Sequence, residues 1–371
     1  MSGNEETLLI QALEKLRERL PQGWTVEEVT YSSGDSPPDQ LWEIRGPSAS
    51  SRGLIVEARF ELSPRAVKVM LGGGLLKRLR GVAGHPILVV APYISPRSRE
   101  LLVAEGANYL DLTGNLRLVL NNPAVFVETQ GADKDPFEKP RPKAGLRGAN
   151  VGGVARILID VRPPYGTTEI AKAARVSPGY VTKILETLTA EALIERGGTR
   201  GPVTEVDWQG LIRRRAEALD LLASHTTSLY VSPNGARAFL DELANQADEK
   251  LAVTGSFAAV EIAPIAAPAL LVLYTMSVNK DQLASRLGLL PASEGGDVAL
   301  VRPENPNVFI NLLEKETVPR VASSQVAIDS LSGNGRMPSE GEALIEWMAN
   351  NEKKWRSASL DAVYWPSWVL P

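Results

Sequence analysis

The spacing of apolar residues over positions 1–130 predicts helices that alternate with short strands. Apolar residues recur at helical spacing over 7–20, on a face formed by Leu9, Ala12, Leu13, Leu16 and Leu20. A second helix is expected at 95–105, where a serine precedes a first-turn proline. Short apolar or alternating runs predict strands at 24–31, 41–45, 53–60, 87–91, 108–112, 116–120 and 125–128. This alternation is typical of an α/β sandwich.

Residues 149–220 carry a different pattern. A first helix has Val154, Ile157, Leu158 and Val161 on one face, and a short helix begins at Thr167, the expected cap. A turn over 175–179 leads into a helix over 178–192. A strand at 193–196, a glycine-rich tip at 197–202 and a returning strand at 203–208 complete the order. The order predicts a winged helix-turn-helix, and its sequence closely resembles that of bacterial transcription regulators.

The C-terminal part reads as a second α/β region. We expect a helix at 235–247, a strand at 251–254 that runs through Gly255 and Ser256 into a helix, and a strand at 270–274. This order resembles the start of a nucleotidyltransferase, in which the next strand carries metal-binding carboxylates. Here that strand has no Asp or Glu. The resemblance therefore implies a degenerate nucleotidyltransferase-like domain without transfer chemistry.

Length and charge divide the chain in the same way. The 371 residues, 44% of them hydrophobic, suffice for two or three domains. We predict an α/β multidomain protein with domains at 1–130, 149–220 and 221–371 and a proline-rich linker at 131–148. Residues 1–140, 141–220 and 221–371 carry net charges of −2, +4 and −6. The basic middle part has the sign that phosphate contacts require, although the whole chain is at −4.

Composition excludes several kinds of chemistry. The chain has no cysteine and two histidines, His85 and His225, which rules out thiolate sites and multi-histidine metal sites. Neither a targeting segment nor an apolar run of about 20 residues is present, so we expect a cytoplasmic protein without a membrane partner. We expect no enzymatic activity, no cofactor and no resident metal.

Two acidic positions in the first domain resemble a nuclease site. Asp39 follows a proline, and Glu57 lies on an apolar strand two residues before Arg59. The order resembles the PD-(D/E)XK restriction-endonuclease-like fold, in which two carboxylates hold Mg²⁺. Arg59 stands where that family has lysine, and arginine stays protonated. We therefore interpret Asp39, Glu57 and Arg59 as a vestigial site in an inactive domain.

Other residues of the middle part point to DNA. A major groove about 12 Å wide admits one helix, so polar side chains at the start of the second motif helix can reach base edges and phosphates. We expect DNA contacts from a set of small, hydroxyl and basic residues: Thr168, Ser177, Gly179, Tyr180, Thr182, Lys183, Arg196, Thr199 and Arg200. A winged helix that makes only protein contacts is the alternative for this segment.

Residues 150–350 resemble a known group of regulators. The sequence LAVTGSFAAVEIAP at 251–264 and the segment 321–347 are similar to AbiEi-type antitoxins of type IV toxin–antitoxin systems. The resemblance implies a sequence-specific DNA-binding repressor, expected to be a homodimer. Two alternatives are a nuclease that the winged helix targets to DNA and an antitoxin that opposes a nucleotidyltransferase toxin.

The remaining polar clusters have structural interpretations. Asp111 and Asn115 flank a Thr-Gly pair and are expected to cap a turn. The basic run at 77–80 is expected to be a solvated helix face. Asp329, Arg336 and Glu340 are expected to form an internal ion-pair network. The tryptophans of the C-terminal tail, Trp355, Trp365 and Trp368, pack on the domain or on a second subunit.

Overall fold

A computed structural model describes residues 3–29, 39–48, 50–72, 84–137, 146, 148–198, 200–243, 250–314 and 318–369. These residues form two compact units. Unit 1 comprises the described residues of 3–137 together with 190–192, and unit 2 comprises the others. The division after residue 142 lies within the segment 131–148. The protein is therefore a mixed α/β multidomain chain, as the sequence predicts.

Unit 1 is a seven-stranded sheet with helices on both faces. Its helices are α1 (Gly3–Arg19), α2 (Pro64–Gly72) and α3 (Pro96–Ala104). The strands are β1 (Thr25–Val29), β2 (Gln40–Arg45), β3 (Ser51–Ala58), β4 (Ile87–Ala91), β5 (Asn108–Asp111), β6 (Leu116–Asn121) and β7 (Ala124–Thr129). They lie in sequence order, and only the pairs β3–β4 and β4–β5 are parallel.

Alternation along the central strands builds two cores in unit 1. On β4, Leu88 and Val90 pack with the α1 side of the sheet, while Ile87 and Val89 pack with the side that holds α2 and α3. Successive strand residues point to opposite faces, so a strand covered on both sides has to be apolar throughout. The fully apolar run at 87–91 is therefore the middle of a three-layer sandwich.

The turn after β5 has the structural role that the sequence predicts. The Asp111 carboxylate accepts hydrogen bonds from the backbone nitrogens of Ile94, Thr113 and Asn115, at 3.0, 2.8 and 3.0 Å. It also accepts from the Asn115 amide at 2.8 Å. A buried carboxylate with this many donors is satisfied without a ligand.

Unit 2 begins with a helical segment and a hairpin. The elements are α4 (Ala149–Asp160), α5 (Thr167–Ala174), α6 (Pro178–Ala190), β8 (Ile194–Arg196), β9 (Val203–Val206) and α7 (Trp208–Ala216). β8 and β9 pair antiparallel. The order of elements is the one that the apolar pattern predicts for 149–216.

The rest of unit 2 surrounds a five-stranded mixed sheet in the order β11-β12-β14-β10-β13. Its strands are β10 (Thr226–Val231), β11 (Leu251–Thr254), β12 (Leu271–Thr275), β13 (Leu290–Ala292) and β14 (Val298–Arg302). The helices are α8 (Ala236–Leu243), α9 (Gly255–Ala259), α10 (Lys280–Arg286), α11 (Ser323–Leu331), α12 (Met337–Asn350) and α13 (Glu352–Trp355), with 3₁₀ turns at Pro306–Phe309, Leu360–Ala362 and Ser367–Val369.

One hydrophobic core joins both parts of unit 2. Buried apolar residues from Leu146 to Val369 form a single cluster that includes the helices of 149–216 and the five-stranded sheet. Separate domains at 149–220 and 221–371 stay a prediction, because a shared core is compatible with two domains that are tightly packed together. Among the described residues, no helix is long and apolar enough to cross a membrane.

A buried polar network crosses this core. Arg156 on α4 is 1% exposed and donates to Asp160 at 2.9 Å, to the Gln325 amide oxygen at 2.9 Å and to the Ile310 carbonyl at 2.8 Å. Asp160 also accepts from Ser324 on α11 and from Asn311. A charge can stay buried only when its hydrogen bonds are made, and these bonds fix α4 against α11.

Asp329 on α11 belongs to the same network through Gln325. Its carboxylate accepts hydrogen bonds from Thr254 at 2.6 Å, Gln325 at 2.8 Å and Tyr274 at 3.1 Å. The expected ion-pair network of Asp329 with Arg336 and Glu340 is therefore wrong. Asp329 points into the sheet side of α11, where neutral donors satisfy it, and burial raises its pKa from 3.8 to about 6.

The C-terminal tail lies across α4 and α5. Buried Arg356 donates to the Ile159 carbonyl at 2.9 Å and so satisfies the C-terminal end of α4. The tail tryptophans pack on the unit 2 core, as the first of the two expectations states. Trp355 contacts Trp208 edge-on at 4.9 Å, and Trp368 contacts Phe309 in the same way at 4.9 Å.

Asp329→Asn should make the stability of the protein less dependent on pH. A carboxyl whose pKa is raised by folding binds its proton more tightly in the folded state, so its stabilising contribution is complete below pH 3.8 and lost as the pH rises through about 6. Relative to wild type, the variant should therefore gain stability between pH 4 and pH 7, by on the order of 3 kcal/mol. Urea unfolding at a series of pH values measures this.

Glu346→Gln, at an exposed position of α12, is the matched control for that experiment. Its stability relative to wild type should stay nearly constant over the same pH range. A constant difference for Asp329→Asn as well would show that Asp329 does not titrate differently in the folded state.

Candidate nucleic-acid interface

The helices α5 and α6 each bury one apolar stripe and expose the opposite face. On α5 the buried residues are Ile170, Ala171 and Ala174, and on α6 they are Val181, Ile184, Leu185 and Leu188. Residues three and four apart share a helix face, so the polar residues between these positions are directed outward. The core thus fixes which side chains the two helices present to solvent.

The start of α5 is capped differently from the sequence prediction. Gly166, rather than Thr167, is the N-cap, and the Glu169 carboxylate accepts a hydrogen bond from the Gly166 nitrogen at 2.6 Å. This is the glutamate half of a capping box, which needs no side chain at the cap itself. The prediction of Thr167 as cap is wrong because glutamate three residues into the helix satisfies the cap.

The candidate DNA residues on the two helices differ in exposure. Thr168, Ser177, Gly179 and Lys183 are exposed. Thr182 is half-buried and its hydroxyl donates to the Pro178 carbonyl at 3.0 Å. That bond leaves the oxygen lone pairs of Thr182 free to accept.

Tyr180 is half-buried and its ring packs against the unit 2 core. Its hydroxyl lies near the start of α4, where a Cβ on Gly148 would be 3.5 Å away. Tyr180 therefore connects α6 to the start of α4 and is only partly accessible to solvent.

The charged residues of the β8–β9 hairpin have three different environments. Glu195 and Glu205 are directly opposite one another and exposed. Arg196 is half-buried and its Nε donates to the Gly201 carbonyl at 3.0 Å, which braces the tip. Arg200 is exposed at the tip, whereas Thr199 and the basic run at 77–80 lie outside the described residues. The side with two glutamates repels phosphate, so contact with DNA would come from the tip.

Two further cations belong to this surface and were not predicted. Lys172 on α5 and Arg175 at its C-terminal end are exposed. Both lie off the buried stripe of α5, and that signal could have identified them. We call the exposed set the candidate DNA surface; it comprises Thr168, Lys172, Arg175, Ser177, Gly179, Lys183 and Arg200. Among the described residues, none of its four cations forms an ion pair.

The three consecutive arginines of α7 are used inside unit 2. Arg213 pairs with Glu342 of α12 at 2.6 Å, and Arg214 pairs with Glu217 at 3.5 Å. Arg215 is buried and donates to the Leu146 carbonyl. Arg213 therefore connects α7 to the C-terminal part of unit 2, while Arg214 pairs with a residue just after its own helix and Arg215 with a backbone carbonyl.

In unit 1 the three residues of the vestigial site do come together. Arg59 forms ion pairs with Asp39 at 3.4 Å and with Glu57, and the Asp39 carboxylate also accepts from the Ala58 nitrogen at 2.8 Å. Burial and the nearby Asp39 charge raise the pKa of Glu57, while Arg59 opposes that effect. The guanidinium lies between the two carboxylates, the place where a bound metal ion would be expected.

No group of three potential metal-ligating side chains occurs within the part of the chain that the structure describes. A permanent guanidinium beside Asp39 and Glu57 also lowers the affinity of the pair for a divalent cation, because it already neutralises their charge. The arrangement can stabilise unit 1 electrostatically without taking part in a reaction.

Arg59→Gln should destabilise unit 1 more at pH 8 than at pH 5. Without the guanidinium, the buried Glu57 carboxylate faces Asp39 unpaired, which should cost about 1–2 kcal/mol at pH 8. At lower pH, Glu57 takes up a proton because its pKa is already raised, and the cost shrinks. Thermal unfolding at both pH values measures the difference. Arg45 forms an exposed ion pair with Glu43, so Arg45→Gln is the control and should lower the stability of unit 1 less. An equal loss of stability in both variants would contradict this role of Arg59.

Comparisons of the whole chain with protein families, with curated proteins and with solved structures find no match.

Proposed function

We propose that the protein is a sequence-specific DNA-binding transcriptional regulator that reads DNA with a winged helix-turn-helix formed by residues 149–220. The observation that carries the proposal is the candidate DNA surface. It combines four cations that form no ion pair with any described residue, three on or beside α5 and α6 and one at the hairpin tip, with the exposed hydroxyl groups of Thr168 and Ser177. The unit 2 core holds both helices in place. Phosphate contacts from such cations give affinity and register, and side chains at the start of the helix read base edges.

Charge distribution supports duplex DNA over a protein as the partner. The segment 141–220 has a net charge of +4 inside a chain of −4, and its exposed cations lie on one set of elements. A surface for another protein would be expected to have a desolvated apolar centre. The exposed faces of α5 and α6 offer no large apolar side chain among the described residues. These features favour a polyanion.

The finer assignments belong to the same proposal. A repressor usually binds as a dimer to a symmetric site, and a homodimer would place two candidate DNA surfaces on successive major grooves. The C-terminal α/β part, which resembles a degenerate nucleotidyltransferase and AbiEi-type antitoxins, would serve dimerisation or contact with a cognate toxin.

Removal of two cations of the candidate DNA surface should weaken DNA binding without unfolding the protein. The variant Lys183→Ala/Arg200→Ala deletes one charge on α6 and one at the hairpin tip, both exposed. Each lost phosphate contact should lower the slope of log Kobs against log salt by about 0.9. A gel shift with the DNA upstream of its own gene, from 50 to 200 mM KCl, should therefore show weaker binding and a flatter salt dependence.

The double variant Arg286→Ala/Lys353→Ala is the matched control, since it removes two exposed cations from α10 and α13. It should bind as wild type does. A wild-type protein that does not bind duplex DNA at 50 mM KCl, or equal losses in both double variants, would contradict the proposal.

A nuclease is the second candidate, favoured only by the convergence of Asp39 and Glu57 on one point. We expect no cleavage of duplex, branched or single-stranded DNA in Mg²⁺ or Mn²⁺, because Arg59 lies where the cation would bind. Cleavage by wild type that is lost in Glu57→Ala would contradict this expectation and identify unit 1 as a nuclease. Cleavage that survives in Glu57→Ala would come from a contaminating enzyme.

A further inference from the structure

Arg175 has an unusual backbone conformation for its residue type. It ends α5 with a φ of +56° and a ψ of +42°, in the left-handed region. Its nitrogen and that of Val176 satisfy the last carbonyls of α5, which is how a helix commonly ends. Glycine or asparagine is usual there, since a Cβ makes this conformation costly. An arginine at this position therefore has a conformational cost that glycine would avoid.

The side chain of Arg175 lies against the C-terminal tail. Its guanidinium lies over the ring of Trp365, 4.7 Å from the ring centroid. Trp365 is itself held, because its indole Nε1 donates to the Ala173 carbonyl at 3.1 Å. A residue almost at the end of the chain thus determines where a charge at the turn before α6 is directed.

The contribution of this ring contact to folding stability does not account for an arginine at position 175. An exposed cation–π contact contributes no more than the left-handed conformation costs. Among the described residues, Arg175 forms no ion pair that would add to it. The net effect of the side chain on folding is therefore small or unfavourable, and its charge remains uncompensated.

The stacked geometry leaves the guanidinium able to bind an anion. A ring contact uses the flat face of the group, while its five N–H donors point outward in the plane. Planar donors in a fixed orientation suit two oxygens of one phosphate. Two exposed neighbours in sequence, Lys172 three residues before Arg175 and Ser177 two residues after it, add a second cation and a hydroxyl.

We propose that Arg175 contacts a phosphate of the DNA backbone and that Trp365 is a positioning residue that orients it. The inference rests on the proposed DNA-binding function and deepens it, because it gives the C-terminal tail a role in orienting a residue of the candidate DNA surface. Such a contact carries no sequence information and sets the register of α6 on the duplex.

Arg175→Gly separates this role from a structural one. Glycine removes the charge and relieves the left-handed backbone, so the thermal midpoint should be equal to or above that of wild type. Binding to a 30-base-pair duplex of mixed sequence should weaken several-fold at 100 mM KCl. The slope of log Kobs against log salt should fall by about 0.9, as expected for one lost phosphate contact.

Two further variants complete the test. Trp365→Leu keeps the charge but removes the ring and its hydrogen bond, so it should weaken binding less than Arg175→Gly does and leave the salt slope nearly unchanged. The control Arg286→Gln removes an exposed cation from α10 and should bind as wild type does.

The outcomes distinguish the two proposals. If wild type binds the duplex and Arg175→Gly binds equally with the same salt slope, Arg175 is not a phosphate contact, while the proposed function stands. If Arg175→Gly loses binding together with a lowered thermal midpoint, the residue is structural and the inference fails. If wild type does not bind the duplex at all, the proposed function itself is wrong.

Discussion

The buried pair of Arg156 and Asp160 is the contact on which unit 2 depends. Both residues lie on α4, four positions apart, and both are almost completely excluded from solvent. Desolvation makes such a pair costly unless every remaining donor and acceptor is used. Gln325, Ser324, Asn311 and the Ile310 carbonyl satisfy the two terminal guanidinium nitrogens and the carboxylate, and all four lie more than 150 positions away. The Arg156 Nε is left without a hydrogen-bond partner among the described residues. The buried pair is therefore satisfied only when the segment 310–325 packs on α4.

The packing around α4 bears on the proposed DNA binding. α5 packs on α4, and α6 shares the same hydrophobic core. The tail contacts α4 through Arg356 and α5 through Trp365. A reading helix held by packing on several sides retains its geometry when it enters a groove, so little binding free energy is spent on ordering it. Trp365 contacts both the end of α5 and the unit 2 core, so a molecule that bound the C-terminal part and moved the tail would also change the contacts of α5.

Secondary-structure elements could be predicted from the sequence where the apolar periodicity is clear. Side-chain contacts between residues far apart in the sequence could not. The apolar stripes of α5 and α6 and the apolar run of β4 identify their elements, because apolar residues at these spacings have to face the core and the polar residues between them on the two helices have to face solvent. The Asp111 turn was also predictable, since Thr113 and Asn115 lie within four residues of it, whereas its contact with the Ile94 nitrogen, 17 positions away, had no local signal. An arginine and an aspartate four apart in an otherwise apolar helix is the signal that could have revealed the Arg156 pair.

The remaining features had no local signal. The sequence predicts an ion-pair network of Asp329 with Arg336 and Glu340, yet the partners of Asp329 come from β11, β12 and its own helix. The stack of Arg175 on Trp365 joins residues 190 positions apart, and only the path of the tail brings them together. In unit 1 the departure at Arg59 was visible in sequence, but its place between two carboxylates was not.

Hydrogen–deuterium exchange of the full chain, with and without a bound DNA duplex, tests the central claim most directly. DNA that lies on the candidate DNA surface should slow amide exchange in peptides that cover residues 166–184, the hairpin tip and the tail around Trp365. Amides of α1 and of the seven-stranded sheet should exchange at unchanged rates. Protection that is confined to unit 1, or absent from 166–184 when DNA is bound, would contradict the account.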